Sequence, residues 1–349
     1  MNAPITQTPI RVGTRGSALA MAQTTAIANR LGAAAGVPVE IIPITTHGDT
    51  SRESLSTLGG TGVFASALRE SLLAGDCDVI VHSLKDLPTG AHPGLVIGAT
   101  PKRADPRDVL CARDGLTLAT LPEGAKVGTG SPRRVAQLRR LRPDLTVVDI
   151  RGNVDTRLAF VSDGELDAVV LAAAGLGRLG RLDAVATDFL DLSAWPTAPG
   201  QGALAIEVRE GKLDRALTAA LAAVNHSTTQ TVTTAERLVL AGLEAGCAAP
   251  IGASAEIDDG LLFLTATVYR PDGTEQLTAS HAATPESHAL VDLLDAAHDV
   301  AERVVAELLA KGAAELAPLR AASGGGAEPL GDGAVGESLP DNISPGGTS

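Results

Sequence analysis

The feature of this chain that most limits its possible folds is a regular alternation of short apolar runs with helical segments. Runs rich in β-branched residues occur at 10–13 and 39–44, and segments with helical apolar spacing follow at 18–35 and 63–73. Such runs predict buried strands, and strands that alternate with helices predict a doubly wound, largely parallel α/β sheet. The alternation restarts after the charged segment 102–108, a candidate hinge, so a second lobe of the same class is expected.

Glycine and proline then divide the rest of the chain. The segment 199–202 precedes a strand and a helix that we expect to return to the first lobe, because a double crossover between two similar lobes forms a cleft. The first domain is therefore expected to comprise 1–103 and 202–224, and the second domain 104–201.

After residue 224 the pattern changes character. A helix, three strands joined by turns that contain Asp-Gly, and a final helix over 285–311 predict a small α+β domain at 225–322 with a three-stranded antiparallel sheet. Residues 323–349 are rich in Gly, Pro and Ser and carry acidic but no basic residues, which predicts a disordered tail.

Composition narrows the class of partner. A formal net charge of -13 argues against nucleic acid or an anionic membrane surface. Three cysteines without a Cys-x-x-Cys pair, and seven scattered histidines, predict a reducing compartment and no metal site. Residues 1–9 lack the pattern of a signal peptide, and no apolar run approaches the roughly 18 residues of a bilayer span. These features predict a cytoplasmic protein.

The stretch 78–88 is the first candidate for chemistry. Its apolar run predicts a buried strand that delivers Lys85 and Asp86 at its carboxyl end, where open α/β sheets bind ligands. Taken alone, such a stretch is more often a strand that exits into a solvated turn. Arginines at other strand-to-helix junctions favour the ligand-binding interpretation.

Four predicted strand-to-helix junctions carry arginines. At the strongest, Ser131 is expected to cap a helix, which places Arg133 and Arg134 in its first turn beside free backbone amides. This arrangement predicts an anion site, although a basic turn that faces the protein's own acids is the alternative. The other junctions carry Arg15 with Ser17, Arg151 with Arg157, and Arg178. Together they predict a cleft lined with guanidinium groups for a ligand with several carboxylates or phosphates.

Two further features have less specific patterns. Cys247 lies in a loop of Gly and Ala, where an accessible thiol is a possible nucleophile or attachment point and an inert packed thiol is equally plausible. Cys77 and Cys111 are expected in the core. The glycine loop 59–62 lacks the features of a phosphate-binding loop, so we interpret it as a tight turn into a helix.

Six motifs together resemble one enzyme family. They are VHSLKDLP at 81–88, GTGSPRR at 128–134, RGNV at 151–154, AGLGRLG at 174–180, PGQGA at 199–203 and EAGC at 244–247. In this order they resemble the hydroxymethylbilane synthase, or porphobilinogen deaminase, family over most of the chain, from about residue 11 to about residue 311.

The resemblance implies two lobes similar to periplasmic binding proteins and a small third domain, in a monomeric transferase. It implies condensation of four porphobilinogen units into hydroxymethylbilane with release of ammonia, primed on a dipyrromethane cofactor joined to Cys247 by a thioether. It implies that Asp86 is the catalytic acid. The implied cofactor- and substrate-binding positions are Arg15, Ser17, Lys85, Thr129, Ser131, Arg133, Arg134, Arg151, Gly152, Arg157 and Arg178.

These implied roles agree with the chemistry of the substrate. Each pyrrole unit brings two carboxylates, which guanidinium groups bind well. Loss of ammonia leaves a cationic electrophile, so one acid among many bases is a sensible arrangement, because arginines cannot stabilise a cation.

The chain departs from the family pattern at Gly16, Thr61 and Pro132. Thr61 stands where many members have a lysine, so we expect Lys85 or an arginine to replace that contact. The alternative function is a non-catalytic binding protein for a polyanionic small molecule. That hypothesis leaves Asp86 and an exposed Cys247 without a role, and such a protein usually carries an export signal.

Overall fold

The structure is a computed structural model that describes residues 8–45, 62–246 and 249–319. The first lobe is built from β1 Ile10–Arg15, α1 Ala18–Ala35, β2 Val39–Ile44, α2 Gly62–Ala74, β3 Val79–Ser83, β4 Leu95–Ala99, β10 Leu204–Arg209 and α7 Arg215–Val224. Its five strands lie in the order β2-β1-β3-β10-β4. β1 runs parallel to β2 and β3, whereas β10 runs antiparallel to β3 and β4. Because β4 is antiparallel to β10, it runs in the same direction as β3, so four strands share one direction and only β10 runs opposite. The sheet is therefore largely parallel, as the sequence predicts, with one antiparallel strand.

The second lobe repeats this arrangement. It contains β5 Asp108–Ala112, β6 Lys126–Gly128, α3 Pro132–Leu141, β7 Thr146–Val148, α4 Val154–Ser162, β8 Ala168–Ala172, α5 Ala173–Arg178, α6 Leu182–Val185 and β9 Asp188–Phe189. The strand order is β7-β6-β8-β5-β9, with β6 parallel to β7 and β8, and β5 antiparallel to β8 and β9. Both lobes thus combine four strands of one direction with a single strand of the opposite direction, which is β10 in the first lobe and β5 in the second.

Two chain segments, 100–107 and 190–203, connect the lobes. They touch where the backbone amide of Ala104 donates to the carbonyl of Gly202 at 3.2 Å. Gly202 has φ +85°, and a Cβ there would lie 2.7 Å from the Ala104 carbonyl oxygen. This close approach requires glycine, since a side chain would separate the two connections.

The third unit is a small α+β layer pair. Its elements are α8 Ser227–Gly242, β11 Ile251–Asp258, β12 Leu261–Tyr269, β13 Gln276–Ala283, α9 Leu290–Ala310 and α10 Ala313–Leu316. The three strands form the antiparallel sheet that the sequence predicts, and α8 and α9 pack on it around Val239, Leu264 and Val300. Helix α9 begins at Leu290, later than predicted, because Ser287 forms a turn by accepting from the amide of Ala289.

Three predictions fall outside the described residues: those for residues 59–61 of the glycine loop, for Cys247 and for the tail 323–349. Within the described ranges, none of the helices combines the length and the apolar character that crossing a bilayer requires.

Candidate functional site

The turn that follows β3 carries Lys85 and Asp86. β3 is almost fully buried, and residues 84–86 form one 3-10 turn at its carboxyl end. Leu84 and Leu87 are each 2% exposed, so an apolar anchor stands on either side of the two charged residues. The amide of Leu84 also donates to Ala203 on the segment before β10 at 3.0 Å. These contacts fix the turn and leave Lys85 and Asp86 half-buried at the edge of the sheet.

Lys85 extends towards the second lobe. Its Nζ donates to Oε1 of Gln201 at 3.3 Å, and Gln201 Nε2 donates to Asp108 at 2.8 Å. Burial lowers the pKa of Lys85 to about 8, against the opposing influence of the neighbouring Asp86 carboxylate. An ammonium group held in this way gains from any carboxylate that a ligand brings.

Arg133 and Arg134 lie in the first turn of α3, as the sequence predicts. Their side chains are buried and pair with Asp108, which is 0% exposed. Asp108 accepts from both arginines, from Trp195 and from Gln201. Burial alone would raise the pKa of Asp108, but Arg134 and Arg133 outweigh burial and hold that pKa well below its usual range.

This pairing leaves positive charge in excess. Two guanidinium groups pair with one carboxylate, and Lys85 lies close enough to interact electrostatically with all three groups. The buried Nε of Arg133 also has no hydrogen-bond acceptor among the residues that the structure describes. The arginines therefore face an acid of the protein itself, which was the alternative to an anion site. One buried donor, the Nε of Arg133, nevertheless remains for a ligand.

Asp108 was not among the residues predicted for the site. Its place at the end of the charged segment 102–108 pointed to a hinge residue instead. Its position as the first residue of a buried strand was the available signal, because a carboxylate there needs cationic partners.

The arginines of α4 and α5 extend the basic surface. Arg157 Nε donates to the carbonyl of Gly152 at 2.9 Å, and burial lowers the pKa of Arg157, with Arg134 and Arg151 adding to the effect. Arg178 donates to the Gly202 carbonyl at 2.6 Å, and burial lowers its pKa to about 10. Desolvated guanidinium groups of this kind favour an anionic partner.

Arg151 is the more exposed member of this set. Its Nε lies 3.6 Å from a carboxylate oxygen of Asp149, and 40% of its side chain is accessible. Gly152 has φ +107°, and Asn153 caps α4 by accepting from the amide of Thr156. The sharp turn at Gly152 thus directs the chain from Arg151 straight into the helix.

The smaller polar residues have mainly local partners. Ser17 caps α1 by accepting from the amide of Ala20 at 3.3 Å, which confirms its predicted position, and Arg15 ends β1 beside it. Thr129 is 1% exposed and accepts from the amide of Ser131 at 3.2 Å. Ser131 occupies the N-cap position of α3, but its hydroxyl makes no capping hydrogen bond.

A buried glutamate on α8 ties the three units together. Both carboxylate oxygens of Glu236 accept from Arg103 on the first connection between the lobes, at 2.7 and 2.9 Å. They also accept from the amides of Gly200 and Ala255. Glu236 is 0% exposed, and it was not among the predicted site residues, because its partners are distant along the chain.

A cavity of about 30 Å³ lies where the three units meet. Its polar wall is formed by Lys85, Ser131 and Arg133, and its apolar wall includes Leu240, Ala249 and Ile251. Cys247 lies outside the described residues, but Ala249 places the following part of its loop at this cavity. Cys77 and Cys111 are buried, as predicted.

Taken together, the fold and site define a class: a two-lobed α/β protein with buried basic side chains between the lobes and a third unit packed where the lobes meet. Comparison with known proteins gives the family. Residues 10–216 match the model "Porphobilinogen deaminase, dipyromethane cofactor binding domain", and residues 230–310 match "Porphobilinogen deaminase, C-terminal domain".

Curated relatives agree. The chain is 71% identical to porphobilinogen deaminase of Leifsonia xyli over 90% of this chain and 96% of that protein. It is 52% identical to porphobilinogen deaminase of Thermobifida fusca over 88% of this chain and 98% of that protein. Among solved structures, the BvgS periplasmic VFT2 domain of Bordetella pertussis is similar at 17% identity and a TM-score of 0.38, over 62% of this chain and 86% of that one.

The chain belongs to the porphobilinogen deaminase family. It is a transferase of tetrapyrrole synthesis that joins four porphobilinogen molecules into hydroxymethylbilane and releases ammonia, and its first two lobes form a dipyrromethane cofactor binding domain. This result decides between the two functional hypotheses in favour of the enzyme.

Proposed function

We propose that Asp86 is the acid–base group of this transferase and that the basic cleft holds the carboxylates of the substrate and of the growing chain. The observation that carries the proposal is the location of Asp86: it is a carboxylate on a fixed turn whose charge acts on Lys85 and, across the cleft, on Arg157. Cationic groups on both lobes suit a substrate that brings two carboxylates per unit.

The proposed proton steps use one carboxyl group throughout. Asp86 donates its proton to the amino group of porphobilinogen, which leaves as ammonia. The resulting carboxylate stabilises the cation left on the substrate carbon, and it then accepts the proton displaced when the new carbon–carbon bond forms. The cycle returns Asp86 to its starting state for the next unit.

The side chains around the cavity match the chemistry of a dipyrromethane group, although the cavity, at about 30 Å³, is far smaller than that group. The unpartnered Nε of Arg133 and the partly desolvated Lys85 suit its carboxylates, and the apolar wall at Leu240 and Ile251 suits its pyrrole rings. When bound, the group supplies the pyrrole carbon to which the first substrate is joined. Arg15, Ser17, Thr129, Ser131, Arg134, Arg151, Gly152, Arg157 and Arg178 complete the proposed binding surface.

We further propose that Cys247 holds the group by a thioether. Its loop follows α8 and reaches the cavity at Ala249, which supports this assignment. We also propose, from the family resemblance, that the enzyme works as a cytoplasmic monomer. Size-exclusion chromatography with light scattering tests the oligomeric state, and a dimer at assay concentration would contradict it.

Two substitutions test the roles. We expect Asp86→Asn to keep the cofactor, seen by intact mass, and to lose roughly 10²–10⁴-fold in kcat. Asp163→Asn, a change of an exposed carboxylate at the end of α4, is the matched control and should keep wild-type kcat. Cys247→Ser should have the mass of the bare chain. Normal turnover by Asp86→Asn would remove that residue from the mechanism.

A further inference from the structure

Arg237 makes contacts that the reaction scheme above does not use. It lies on α8 in the third unit, and its guanidinium group reaches the first lobe. Nη1 donates to the carbonyl of Leu84 at 3.0 Å and to that of Leu87 at 2.9 Å, and Nη2 donates to the carbonyl of Pro88 at 2.7 Å. One side chain thus holds three backbone carbonyls that surround Asp86 in the sequence.

These carbonyls define the shape of the turn. The Leu84 carbonyl also accepts from the amide of Leu87, which closes the 3-10 turn over residues 84–86. Arg237 therefore binds the first residue of the turn and the two residues that follow it. A planar guanidinium group with fixed donor directions sets the relative positions of these carbonyls, whereas a single hydrogen bond would not.

We propose that Arg237 is a positioning residue that holds the Asp86 carboxyl group at its working place through the backbone of the turn. The inference rests on the proposed role of Asp86. It also gives α8 two tasks: Glu236 fastens the connection between the lobes, and the next residue fastens the turn. Because α8 leads into the loop of Cys247, the same helix links the proposed attachment point to the proposed acid.

The expected effect is on the chemical step. A displacement of about 1 Å in a catalytic group costs about a hundredfold in rate, so Arg237→Met should lower kcat about a hundredfold. Substrate carboxylates are held by other cations, so KM should stay close to the wild-type value. Arg237→Lys keeps the charge and several donors but loses the planar guanidinium group, so its kcat should lie between those of wild type and Arg237→Met.

Arg209 provides a matched control. It also spans two backbone carbonyls of the first lobe, since its Nη1 donates to Leu72 and Cys77 at 2.7 Å each. Those carbonyls lie at the other end of β3, away from Asp86. Arg209→Met should cost thermal stability comparable to that lost in Arg237→Met and should leave kcat near wild type.

The experiment measures kcat, KM, intact mass and melting temperature of the cofactor-loaded variants. A selective loss of kcat in Arg237→Met, with partial recovery in Arg237→Lys, supports the inference. A kcat near wild type overturns it, as does an equal loss in Arg209→Met or a folded Arg237→Met chain without cofactor. If Arg237→Met does not fold, Arg237→Gln is judged by the same criteria.

A double variant separates the inference from its premise. If Arg237 acts through Asp86, Arg237→Met should add no further loss of kcat in the Asp86→Asn background. Additive losses would overturn the positioning role and leave the role of Asp86 intact. Normal turnover by Asp86→Asn would instead overturn the proposed acid.

Discussion

Asp108 offers a sharp test of how the basic cleft is held together. Its Oδ2 accepts from Arg133, Arg134 and Trp195, and its Oδ1 accepts from Arg134 and Gln201. In Asp108→Asn, one of these oxygens becomes an NH₂ group. Either choice points that NH₂ at two or more donors, so the variant loses the charge and also places donors against donors.

The size of the effect follows from burial. Asp108 is 0% exposed, and the side chains of Arg133 and Arg134 are 3% and 7% exposed, so water does not replace the lost partner. Removing one member of a buried ion pair costs about 3–5 kcal/mol. With a urea dependence of about 2 kcal/mol per molar, the unfolding midpoint should fall by about 1.5–2.5 M.

The chain supplies its own probe for this measurement. Trp195 is the single tryptophan, it is 1% exposed, and its Nε1 donates to Asp108. Urea unfolding followed by tryptophan fluorescence therefore reports on this cluster. Asp299→Asn, which removes an exposed pair with Arg303 on α9, is the control and should shift the midpoint far less. An unchanged midpoint in Asp108→Asn would refute the reasoning.

Three further predictions concern pH and chain length. Burial favours a raised pKa for Glu207, but hydrogen bonds from His82 and Arg69 lower that pKa to about 2. The contribution of the Glu207 carboxylate to stability should therefore be complete above pH 4.5 and lost as the pH falls towards 2. The urea midpoints of Glu207→Gln and wild type should converge over that range. Burial lowers the Lys85 pKa, so in cofactor-free protein the buried ammonium group destabilises the fold most below pH 8. Lys85→Met should therefore raise the melting temperature most below pH 8, and this gain should decline as the pH rises towards 10.5. Melting temperatures of both proteins across that range check the direction of the change. A chain that ends at residue 322 should load cofactor normally by intact mass, whereas one that ends at residue 311 should load less, because it lacks the Leu319 carbonyl that accepts from the amide of Gly246.

Local signals in the sequence predicted the elements well. The bounds of α1 and β2 agree with the structure, because Ser17 caps the helix, Gly36 ends it with φ +68°, and the β-branched run 39–44 follows. The first-turn position of Arg133 and Arg134 was also predictable, since Ser131 and a proline mark the start of α3. Each of these features depends on neighbours within a few residues.

The partners of these residues were beyond the reach of the sequence. Nothing near Arg134 identifies Asp108 as its partner, and nothing near Glu236 indicates Arg103, since these pairs are separated by 26 and 133 residues. The antiparallel direction of β10 was unpredictable for a similar reason, because it depends on where the distant preceding segment crosses between the lobes. The family resemblance predicted which residues form the site, and the tertiary structure supplied what those residues contact.

The insertion of the second lobe into the first sheet has a consequence for biosynthesis. β10 pairs with β3 in that sheet, and the hydrogen bond between His82 and Glu207 spans 125 residues. The second lobe pairs only strands that lie between 108 and 189, so on a nascent chain it has all its strands before the first sheet has its own. Until β10 emerges, the apolar edge of β3 stays open to other chains. We expect the first lobe to fold last of the two and to be the part that chaperones protect.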